Sequence, residues 1–336
     1  MTARLWLLLS LCVSLGASAQ QTELLPPDVE AFVANMVERH GMDSHSLRET
    51  LRPLKPVSAI VKAVSAPSTS RPWRQYRPLN VDKGRIEGGV RFWNQHEGAL
   101  TRAREAYGVP EAIIVAILGV ETRYGRITGN FRVLDALYTL GFEVPGRNEY
   151  FKSELEAYLL LTRERGWDPL TLKGSFAGAM GMPQFMPSSY RRYAVDFATD
   201  GNVDLWNDAV DVVGSVANFL ATFGWKSDEL VAMPATYEGS DLDGLLAQGI
   251  KPHTLLADLK AAGVVPQGSA PDEQLAALFV LEGDLGPDYW LAFNNFNAIL
   301  HYNRSRNYAM SVYQLAIEIA RERLAAIESA PQPGAR

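Results

Sequence analysis

The stretch "AILGVETRYG" (residues 116–125) places an ionisable carboxylate, that of Glu121, at the end of a long apolar run. Residues 112–120, which lead up to it, carry no charged side chain and no hydrogen-bonding side chain. In a helix, side chains three, four and seven positions apart lie on one face. The apolar residues at those spacings before Glu121 are Leu118, Ile117 and Ile114. The pattern therefore predicts a buried helix that presents Glu121 from its apolar stripe.

A carboxylate in such a place has a chemical consequence. Burial disfavours the charged form and raises the carboxyl pKa, and a carboxyl that stays protonated near neutrality is suited to general acid catalysis. A simpler interpretation is a glutamate at a helix end that pairs with Arg123 or Arg126, or is solvated. Pro110 is placed to begin this helix and Gly125 to end it.

Length and charge exclude some classes of protein. The chain has 336 residues, 47% of them hydrophobic, which is enough for two domains or for one domain with insertions. The net charge is −6, and a nucleic-acid binder would show a basic excess or basic clusters. We therefore expect no nucleic-acid partner.

The first residues have the pattern of an export signal. Arg4 is followed by an apolar run too short for a membrane anchor, then by Ala17-Ser18-Ala19, which predicts a signal peptide over residues 1–19. Lipidation of Cys12 is disfavoured because Leu11 stands where a small residue is required. Loss of Arg4 changes the net charge from −6 to −7, and loss of Cys12 leaves no cysteine for a disulfide or a thiol nucleophile. We expect a soluble periplasmic protein.

Changes of composition and of hydrophobic periodicity divide the rest of the chain. Helical periodicity runs through most of it, but residues 227–290 have short apolar runs with several glycines and prolines, and "ALFVLEG" (277–283) is typical of a strand. The predicted segments are an N-terminal helical domain (20–75), a catalytic core (76–226), a small mixed α/β insertion (227–290), a return to the core with a C-terminal helix (291–328), and a disordered tail (329–336).

Familiar catalytic motifs are absent. The five histidines form no HExxH pattern, the glycines of "GSFAGAMG" match neither a dinucleotide fingerprint nor a phosphate-binding loop, and no G-x-S-x-G is present. We therefore expect no required cofactor.

The segment "GSFAGAMGMPQFMPSSY" (174–190) has the composition of a sugar-binding loop. Ser175 and Gln184 offer hydrogen bonds, Phe176 and Phe185 offer flat apolar faces, and glycine lets a ligand approach the backbone closely. The alternative is tight packing through small residues. A second segment, "LHYNRSRNYAM" (300–310), clusters the polar-tipped side chains Tyr302, Asn303 and Tyr308.

These segments resemble a known family. "GVETRYGRITGNFRVLDALYTL", "GSFAGAMGMPQFMPSSY" and "NRSRNYAMSVYQLA" are similar to signature segments of the B-type lytic murein transglycosylases (MltB-like, glycoside hydrolase family 103), and the resemblance covers roughly residues 25–325. It implies a mainly α fold: a goose-lysozyme-like helical core, an α-helical flanking domain and a small inserted α/β domain. It also implies cleavage of the MurNAc–GlcNAc bond of peptidoglycan, leaving a 1,6-anhydro-MurNAc end.

The resemblance also assigns roles to residues. It places the single catalytic acid at Glu121. The family's two consecutive arginines before "EYF" are reduced here to Arg147 after Gly146, and Phe219 stands where a cleft tyrosine can occur. The substrate-binding positions implied are Tyr76, Arg147, Ser175, Phe176, Gln184, Phe185, Tyr302, Asn303 and Tyr308.

Most glycosidases use two carboxylates, whereas only one is well placed here. A transglycosylase can work with one, because the C6 hydroxyl of the substrate replaces water. Two alternatives remain open: a lysozyme-type hydrolase with a second carboxylate elsewhere in the chain, and a non-catalytic peptidoglycan-binding module. The expected partners are peptidoglycan glycan strands, together with cell-wall synthesis proteins.

The loop of residues 196–211 partly matches a calcium-binding pattern. Asp196, Asp200 and Gly201 fit places one, five and six of an EF-hand, but Ala198 and Asn207 fail at ligand positions. The resemblance implies a last carboxylate from beyond the usual end, which matches Asp211. The sequence predicts either a weak structural Ca²⁺ site at Asp196, Asp200, Asn202 and Asp211, or an acidic turn that binds nothing tightly.

Overall fold

The computed structural model describes residues 25–65, 71–146 and 148–329. The predicted signal peptide and residues 330–336 of the predicted tail lie outside these ranges. The chain divides into two compact units, of which one ends at Leu54 and the other begins at Lys55. Residues 75 and 76 lie within the helix Trp73–Asn80, and the predicted domain boundary between them stays a prediction.

The first unit contains two helices, α1 (Pro27–His40) and α2 (Ser44–Leu51). Val29, Val33 and Met36 give α1 a buried stripe. The guanidinium of Arg48 donates three hydrogen bonds of 2.9 to 3.1 Å to the carboxylate of Glu30, which joins the two helices. The ion pair therefore fixes the two helices against each other.

The second unit is helical, with one small insertion that contains a sheet. The fifteen helices of the described residues hold 56% of those residues, so the predicted mainly α class is confirmed. The helices of this unit are α3 (Ser58–Ser65), α4 (Trp73–Asn80), α5 (Lys83–Gln95), α6 (Glu97–Tyr107), α7 (Glu111–Thr122), α8 (Val133–Glu143), α9 (Asn148–Arg165), α10 (Pro187–Tyr193), α11 (Ala209–Thr222), α12 (Leu242–Ala247), α13 (Leu256–Ala261), α14 (Asn294–Tyr302) and α15 (Arg306–Ser329).

Helix α7 lies at the centre of this unit, packed against α5, α6, α11 and α15. Every residue from Ile113 to Gly119 is buried, as its uncharged sequence predicts. Pro110 precedes the first turn, but the helix ends at Thr122 rather than at Gly125, because Arg123 and Tyr124 already have left-handed φ values of 51° and 62°.

Hydrogen bonds hold this early helix end. The hydroxyl of Tyr124 donates to the backbone oxygen of Arg85 at 2.6 Å, and Nε of Arg85 donates to the backbone oxygen of Gly119 at 2.9 Å. These bonds offset the cost of a left-handed backbone at a side-chain-bearing residue. They therefore fix the turn of α7 that carries Glu121.

The insertion contains a five-stranded antiparallel sheet in the order β4-β6-β7-β3-β5. Its strands are β3 (Ala232–Tyr237), β4 (Thr254–Leu255), β5 (Val264–Pro266), β6 (Leu275–Glu282) and β7 (Pro287–Ala292). The predicted strand at 277–283 corresponds to β6. Helices α12 and α13 contribute to the small core beside the sheet, which includes Leu256, Leu259, Leu278 and Leu291. Helical structure resumes with α14, at Asn294.

A second, two-stranded sheet lies before the loop of residues 174–190. Strands β1 (Phe131–Arg132) and β2 (Lys173–Gly174) pair antiparallel, and this pairing brings the start of that loop beside the chain that follows α7. None of the helices in the described residues is both long enough and apolar enough to span a membrane.

Candidate active site

Glu121 lies on the last turn of α7 and is partly buried. Its Oε1 accepts a hydrogen bond of 2.6 Å from the hydroxyl of Tyr308, which lies on the first turns of α15 and is 2% exposed. No hydrogen bond within the described residues engages the other carboxyl oxygen, Oε2. One oxygen is therefore held in place and the other is free for a ligand.

Burial raises the pKa of Glu121 from an ordinary value of 4.5 to about 7, while the hydrogen bond from Tyr308 lowers it. Among the described residues, no acidic side chain contributes to this shift. Glu121 can thus hold a proton near neutral pH and release it without a large penalty, as a general acid that later acts as a base requires.

Tyrosines surround this carboxyl group. Burial and the nearby charge of Glu121 raise the pKa of both Tyr76 and Tyr302. The rings of Tyr302 and Tyr308 are nearly parallel, 13° apart in tilt, with centroids 6.4 Å apart. The hydroxyl of Tyr302 donates to the backbone oxygen of Pro183 at 2.6 Å. Three predicted positions, Tyr76, Tyr302 and Tyr308, therefore converge on Glu121.

The loop of residues 174–190 is held by the side chains expected to bind sugar. Ser175 Oγ accepts hydrogen bonds from the backbone N–H groups of Ala177 (3.2 Å) and Ala179 (3.0 Å). The amide of Gln184, whose φ is 54°, donates to the backbone oxygens of Thr128 (3.1 Å) and Gly181 (2.9 Å). Both side chains therefore shape the loop, and sugar binding by them stays a prediction.

The two phenylalanines of this loop differ in exposure. Phe176 is 40% exposed and offers a ring face to solvent, whereas Phe185 is 2% exposed. Phe185 packs against Phe219 and Tyr302, with centroids 5.5 and 5.8 Å away. Phe219 also contacts Tyr302 directly, at 4.8 Å. Phe185 and Phe219 thus both pack against the ring of Tyr302.

The glycines of the loop serve close packing of the protein itself. A Cβ on Gly174 would lie 2.2 Å from the backbone oxygen of Ala179, and one on Gly181 would lie 2.4 Å from that of Leu205. A Cβ on Gly178 would meet the side chain of Leu137 at 2.5 Å. The idea that these glycines leave the backbone bare for a ligand is wrong at these three positions, because other parts of the chain already fill the space.

A cavity of about 1290 Å³ lies beside this centre. Tyr302 and Asn303 line it, and Tyr302 also lies close enough to Glu121 for the charge of that carboxyl to act on it. Its wall also includes Trp73, Tyr150 and Arg304, which the sequence analysis did not single out. For Tyr150 the sequence offered one signal, an aromatic side chain in "NEYF" at the start of an amphipathic helix. Arg147 lies outside the described residues, although Gly146 and Asn148 on either side of it line the cavity.

In the loop of residues 196–211, the acidic side chains accept hydrogen bonds from the loop's own backbone N–H groups. Asp196 accepts from the N–H groups of Asp200 (3.1 Å) and Gly201 (2.8 Å), and Asp200 accepts from Asn202 N–H (2.9 Å). The buried carboxylate of Asp211 accepts three backbone hydrogen bonds of 2.8 to 2.9 Å. Within the described ranges, no three His, Cys, Asp or Glu side chains are grouped to hold a metal. As folded, these residues do not fit a ready-made Ca²⁺ cage, and the predicted metal site stays a prediction.

The site thus consists of a half-buried, protonatable glutamate at the end of a central helix, with a large cavity nearby. Residues 25–317 match the family model of the transglycosylase SLT domain, and the chain belongs to this family of lytic transglycosylases.

Three relatives are similar over most of their length. The membrane-bound lytic murein transglycosylase B of Escherichia coli is 44% identical over 308 residues, which are 89% of this chain and 84% of that protein. The crystal structure of soluble lytic transglycosylase SltB1 from Pseudomonas aeruginosa has a TM-score of 0.82 at 45% identity, over 88% of this chain and 99% of that one. The E. coli lytic transglycosylase Slt35 in complex with calcium has a TM-score of 0.81 at 44% identity, over 89% and 94%.

A more distant structure shows a bound ligand. SltB3 from P. aeruginosa, in complex with NAG-anhNAM-pentapeptide, is 32% identical with a TM-score of 0.75, over 87% of this chain and 78% of that one. The predicted fold class is confirmed by these likenesses.

Proposed function

We propose that this chain cleaves the β-1,4 bond between MurNAc and GlcNAc in peptidoglycan and leaves a 1,6-anhydro-MurNAc end. One observation carries the proposal: burial raises the pKa of the Glu121 carboxyl to about 7, and Tyr308 is its hydrogen-bond partner among the described residues. A hydrolase that uses two carboxylates needs the second one within roughly 5 to 9.5 Å of the first. A single protonatable carboxyl beside a cavity favours a reaction in which the substrate supplies its own nucleophile.

In this reaction Glu121 first acts as an acid. Its proton, on Oε2, passes to the glycosidic oxygen as the bond to C1 of MurNAc breaks, and the released sugar leaves with a hydroxyl. The N-acetyl group of the substrate, or a short-lived oxocarbenium ion, carries the positive charge at C1. Tyr308 keeps Oε1 engaged throughout, so that the protonated oxygen faces the bond.

Glu121 then acts as a base. Its carboxylate takes the proton of the C6 hydroxyl, whose oxygen attacks C1 and closes the 1,6-anhydro ring. No water is consumed, and the carboxyl returns to its protonated state. Burial of Glu121 supports both steps, because it holds the pKa near the working pH and limits competition from water.

The walls of the cavity support a polymeric sugar ligand. Trp73, Tyr150 and Tyr302 line the cavity, Tyr150 is exposed, and Asn303 supplies hydrogen-bonding groups. Phe176 offers a further exposed ring. The complex of SltB3 with a NAG-anhNAM-pentapeptide supports peptidoglycan glycan strands as the substrate here. Sugar contacts by Tyr76, Arg147, Ser175 and Gln184 belong to this proposal, as do cell-wall synthesis proteins as partners.

This activity takes place in the periplasm. Residues 1–19 have the pattern of a cleaved export signal, and Leu11 before Cys12 disfavours lipidation. Peptidoglycan lies in that compartment. The role of the enzyme is turnover and remodelling of the cell wall.

Reaction in ¹⁸O-labelled water tests this function. Purified sacculi are digested, and the released disaccharide-peptides are analysed by mass spectrometry. We expect products lighter by one water than lysozyme products, with no label at the new MurNAc end and no change on borohydride treatment. Label at the anomeric carbon would support the lysozyme-type hydrolase, and binding to sacculi without soluble products would support a binding module.

A further inference from the structure

Thr122, the last residue of α7, follows Glu121 directly in the chain and is 1% exposed. Its hydroxyl donates a hydrogen bond of 2.8 Å to the backbone oxygen of Met182 and accepts one of 2.9 Å from the backbone N–H of Gly125. Successive side chains of a helix point about 100° apart, so Thr122 faces the loop of residues 174–190 while Glu121 faces α15. The hydroxyl therefore has one partner just beyond its own helix and one on the loop.

The bond to Met182 is not needed to end the helix. A threonine that only closes the end of α7 would bind Gly125, which is 3 positions further on, whereas Met182 is 60 positions away. Met182 is also fixed by its backbone N–H, which donates to the backbone oxygen of Leu205 at 2.7 Å. A Cβ on Gly125 would lie 2.9 Å from the terminal methyl carbon of Met182, so the two segments are in close contact. One buried hydroxyl thus joins the end of α7 to the loop.

The loop has a second attachment near the carboxyl group of Glu121. The backbone oxygen of Pro183 accepts the hydroxyl of Tyr302, on α14, at 2.6 Å. Tyr302 is close enough to Glu121 to feel its charge, and Thr122 is the neighbour of Glu121 in the chain. Of these two attachments, only that of Thr122 lies on the helix that carries Glu121. Its hydroxyl therefore sets the separation between the carboxyl and the loop.

We propose that Thr122 is a positioning residue for the reaction: its hydroxyl holds the loop of residues 174–190 at a fixed distance from the carboxyl of Glu121, so that a sugar lying against the loop presents its glycosidic oxygen to Oε2. This inference rests on the proposed function and adds to it a group that touches neither the substrate nor the reacting atoms. Without the hydroxyl, the carbonyl of Met182 and the N–H of Gly125 lose a buried partner, and the two segments move apart to find others. A displacement of about 1 Å at a reacting centre can cost about a hundredfold in rate.

Steady-state kinetics on the full chain test this inference. Thr122→Val keeps the size and branching of the side chain but removes the hydroxyl, whereas Thr122→Ser keeps the hydroxyl. With a soluble glycan strand as substrate, we expect Thr122→Val to lower kcat by at least about tenfold and to change KM by less than about threefold, because a misaligned acid affects the transition state more than the bound ground state. Thr122→Ser should restore kcat to within about threefold of the wild-type value.

Thr139→Val is the matched control. Thr139 is fully buried on α8, and its hydroxyl accepts a hydrogen bond of 3.1 Å from the backbone N–H of Val57, a contact that involves neither α7 nor the loop. Its loss should lower the melting temperature and leave kcat per folded molecule unchanged. Equal kcat values for Thr122→Val and Thr139→Val, at a temperature where circular dichroism shows both proteins folded, would overturn the inference. A Thr122→Ser protein as slow as Thr122→Val would do the same.

A further variant keeps the test decisive if Thr122→Val does not fold. Thr122→Cys retains a small polar group, but a thiol is only a weak donor and a weak acceptor of hydrogen bonds. It should show the same fall in kcat with KM nearly unchanged. Wild-type kcat in Thr122→Cys contradicts the inference.

The outcome is separable from that of the proposed function, which the type of product decides. Anhydro ends from the wild-type protein together with an unchanged kcat in Thr122→Val would leave the function standing and remove the positioning role. Hydrolytic products together with a fall in kcat that serine reverses would do the opposite.

Discussion

Tyr308 donates a hydrogen bond of 2.6 Å to the carboxyl of Glu121, although 187 positions of the chain separate the two residues. The contact joins the end of α7 to the start of α15, two helices that pack together in the centre of the unit. It fixes one oxygen of Glu121 and leaves the other unengaged. It also moderates the rise in pKa that burial causes.

Replacing the carboxyl by an amide should abolish cleavage. We expect Glu121→Gln to lower the rate on sacculi to less than about a hundredth of the wild-type rate, because positioned acid–base catalysis is typically worth 10²–10⁴-fold. Release of soluble muropeptides measures this. Glu111→Gln, on the first turn of the same helix and paired with Arg104, is the matched control and should retain activity. A Glu121→Gln protein above that rate would argue against a general acid at this position.

The rate should fall as pH rises through neutrality. The acid must be protonated to act, so kcat/KM is high below the pKa of Glu121 and declines above about 7. The measurement is kcat/KM on a soluble glycan from pH 5 to 9. A profile that is flat across pH 6 to 8 is incompatible with Glu121 as the acid.

Removing one hydroxyl should shift that profile. The hydrogen bond from Tyr308 lowers the pKa of Glu121, so Tyr308→Phe raises it and moves the alkaline limb to higher pH. We also expect kcat to fall, because the carboxyl loses its fixed orientation. Tyr313→Phe removes a hydroxyl on the same helix that donates to the backbone of Ala232, and should leave the limb in place. An unmoved limb in Tyr308→Phe contradicts the pairing.

Stability should depend on pH through the same group. The folded pKa of Glu121, about 7, exceeds its ordinary value of 4.5, so the folded state holds this proton more tightly than the unfolded state. Its contribution to stability is present below about pH 4.5 and is lost as pH rises through about 7. The melting temperature of the wild-type protein minus that of Glu121→Gln should therefore be lower at pH 8 than at pH 5. Parallel midpoints of the two proteins across this range would count against the raised pKa.

Calcium should stabilise the protein only slightly. The carboxylates of Asp196 and Asp211 already accept backbone N–H groups, so an ion gains few ready ligands and its Kd is high. Stabilisation follows RT ln(1 + [L]/Kd), about 0.4 kcal/mol when the Ca²⁺ concentration equals Kd. We expect a small rise in the melting midpoint at millimolar Ca²⁺, absent in Asp200→Ala. An unmoved wild-type curve would show that the loop is only a turn.

Local sequence was sufficient for the helix that carries the carboxyl. The uncharged run before Glu121 is buried as its periodicity predicts, since a helix without polar side chains is stable only in a core. The insertion was likewise visible, because glycines, prolines and short apolar runs disfavour long helices.

The position where α7 ends was not predictable in the same way. Gly125 is the residue that local propensity favours for a left-handed turn, yet the turn begins at Arg123. Hydrogen bonds from Tyr124 to Arg85 and from Arg85 to Gly119 outweigh that propensity. Such bonds depend on the packing of α5 against α7, which no local pattern encodes.

The sequence by itself determined that a glutamate ends a buried helix and that serine, glutamine and tyrosine lie in two further segments of the chain. Only the tertiary structure decided what these side chains do. It directs Ser175 and Gln184 to backbone partners in and beside their own loop, places Phe185 behind Tyr302, and brings Tyr308 to Glu121. The physical reason is that burial and partners set a side chain's chemistry: Glu121 reaches a pKa of about 7 because α15 and the tyrosines around it remove water from a carboxyl that the sequence could only place on the correct face.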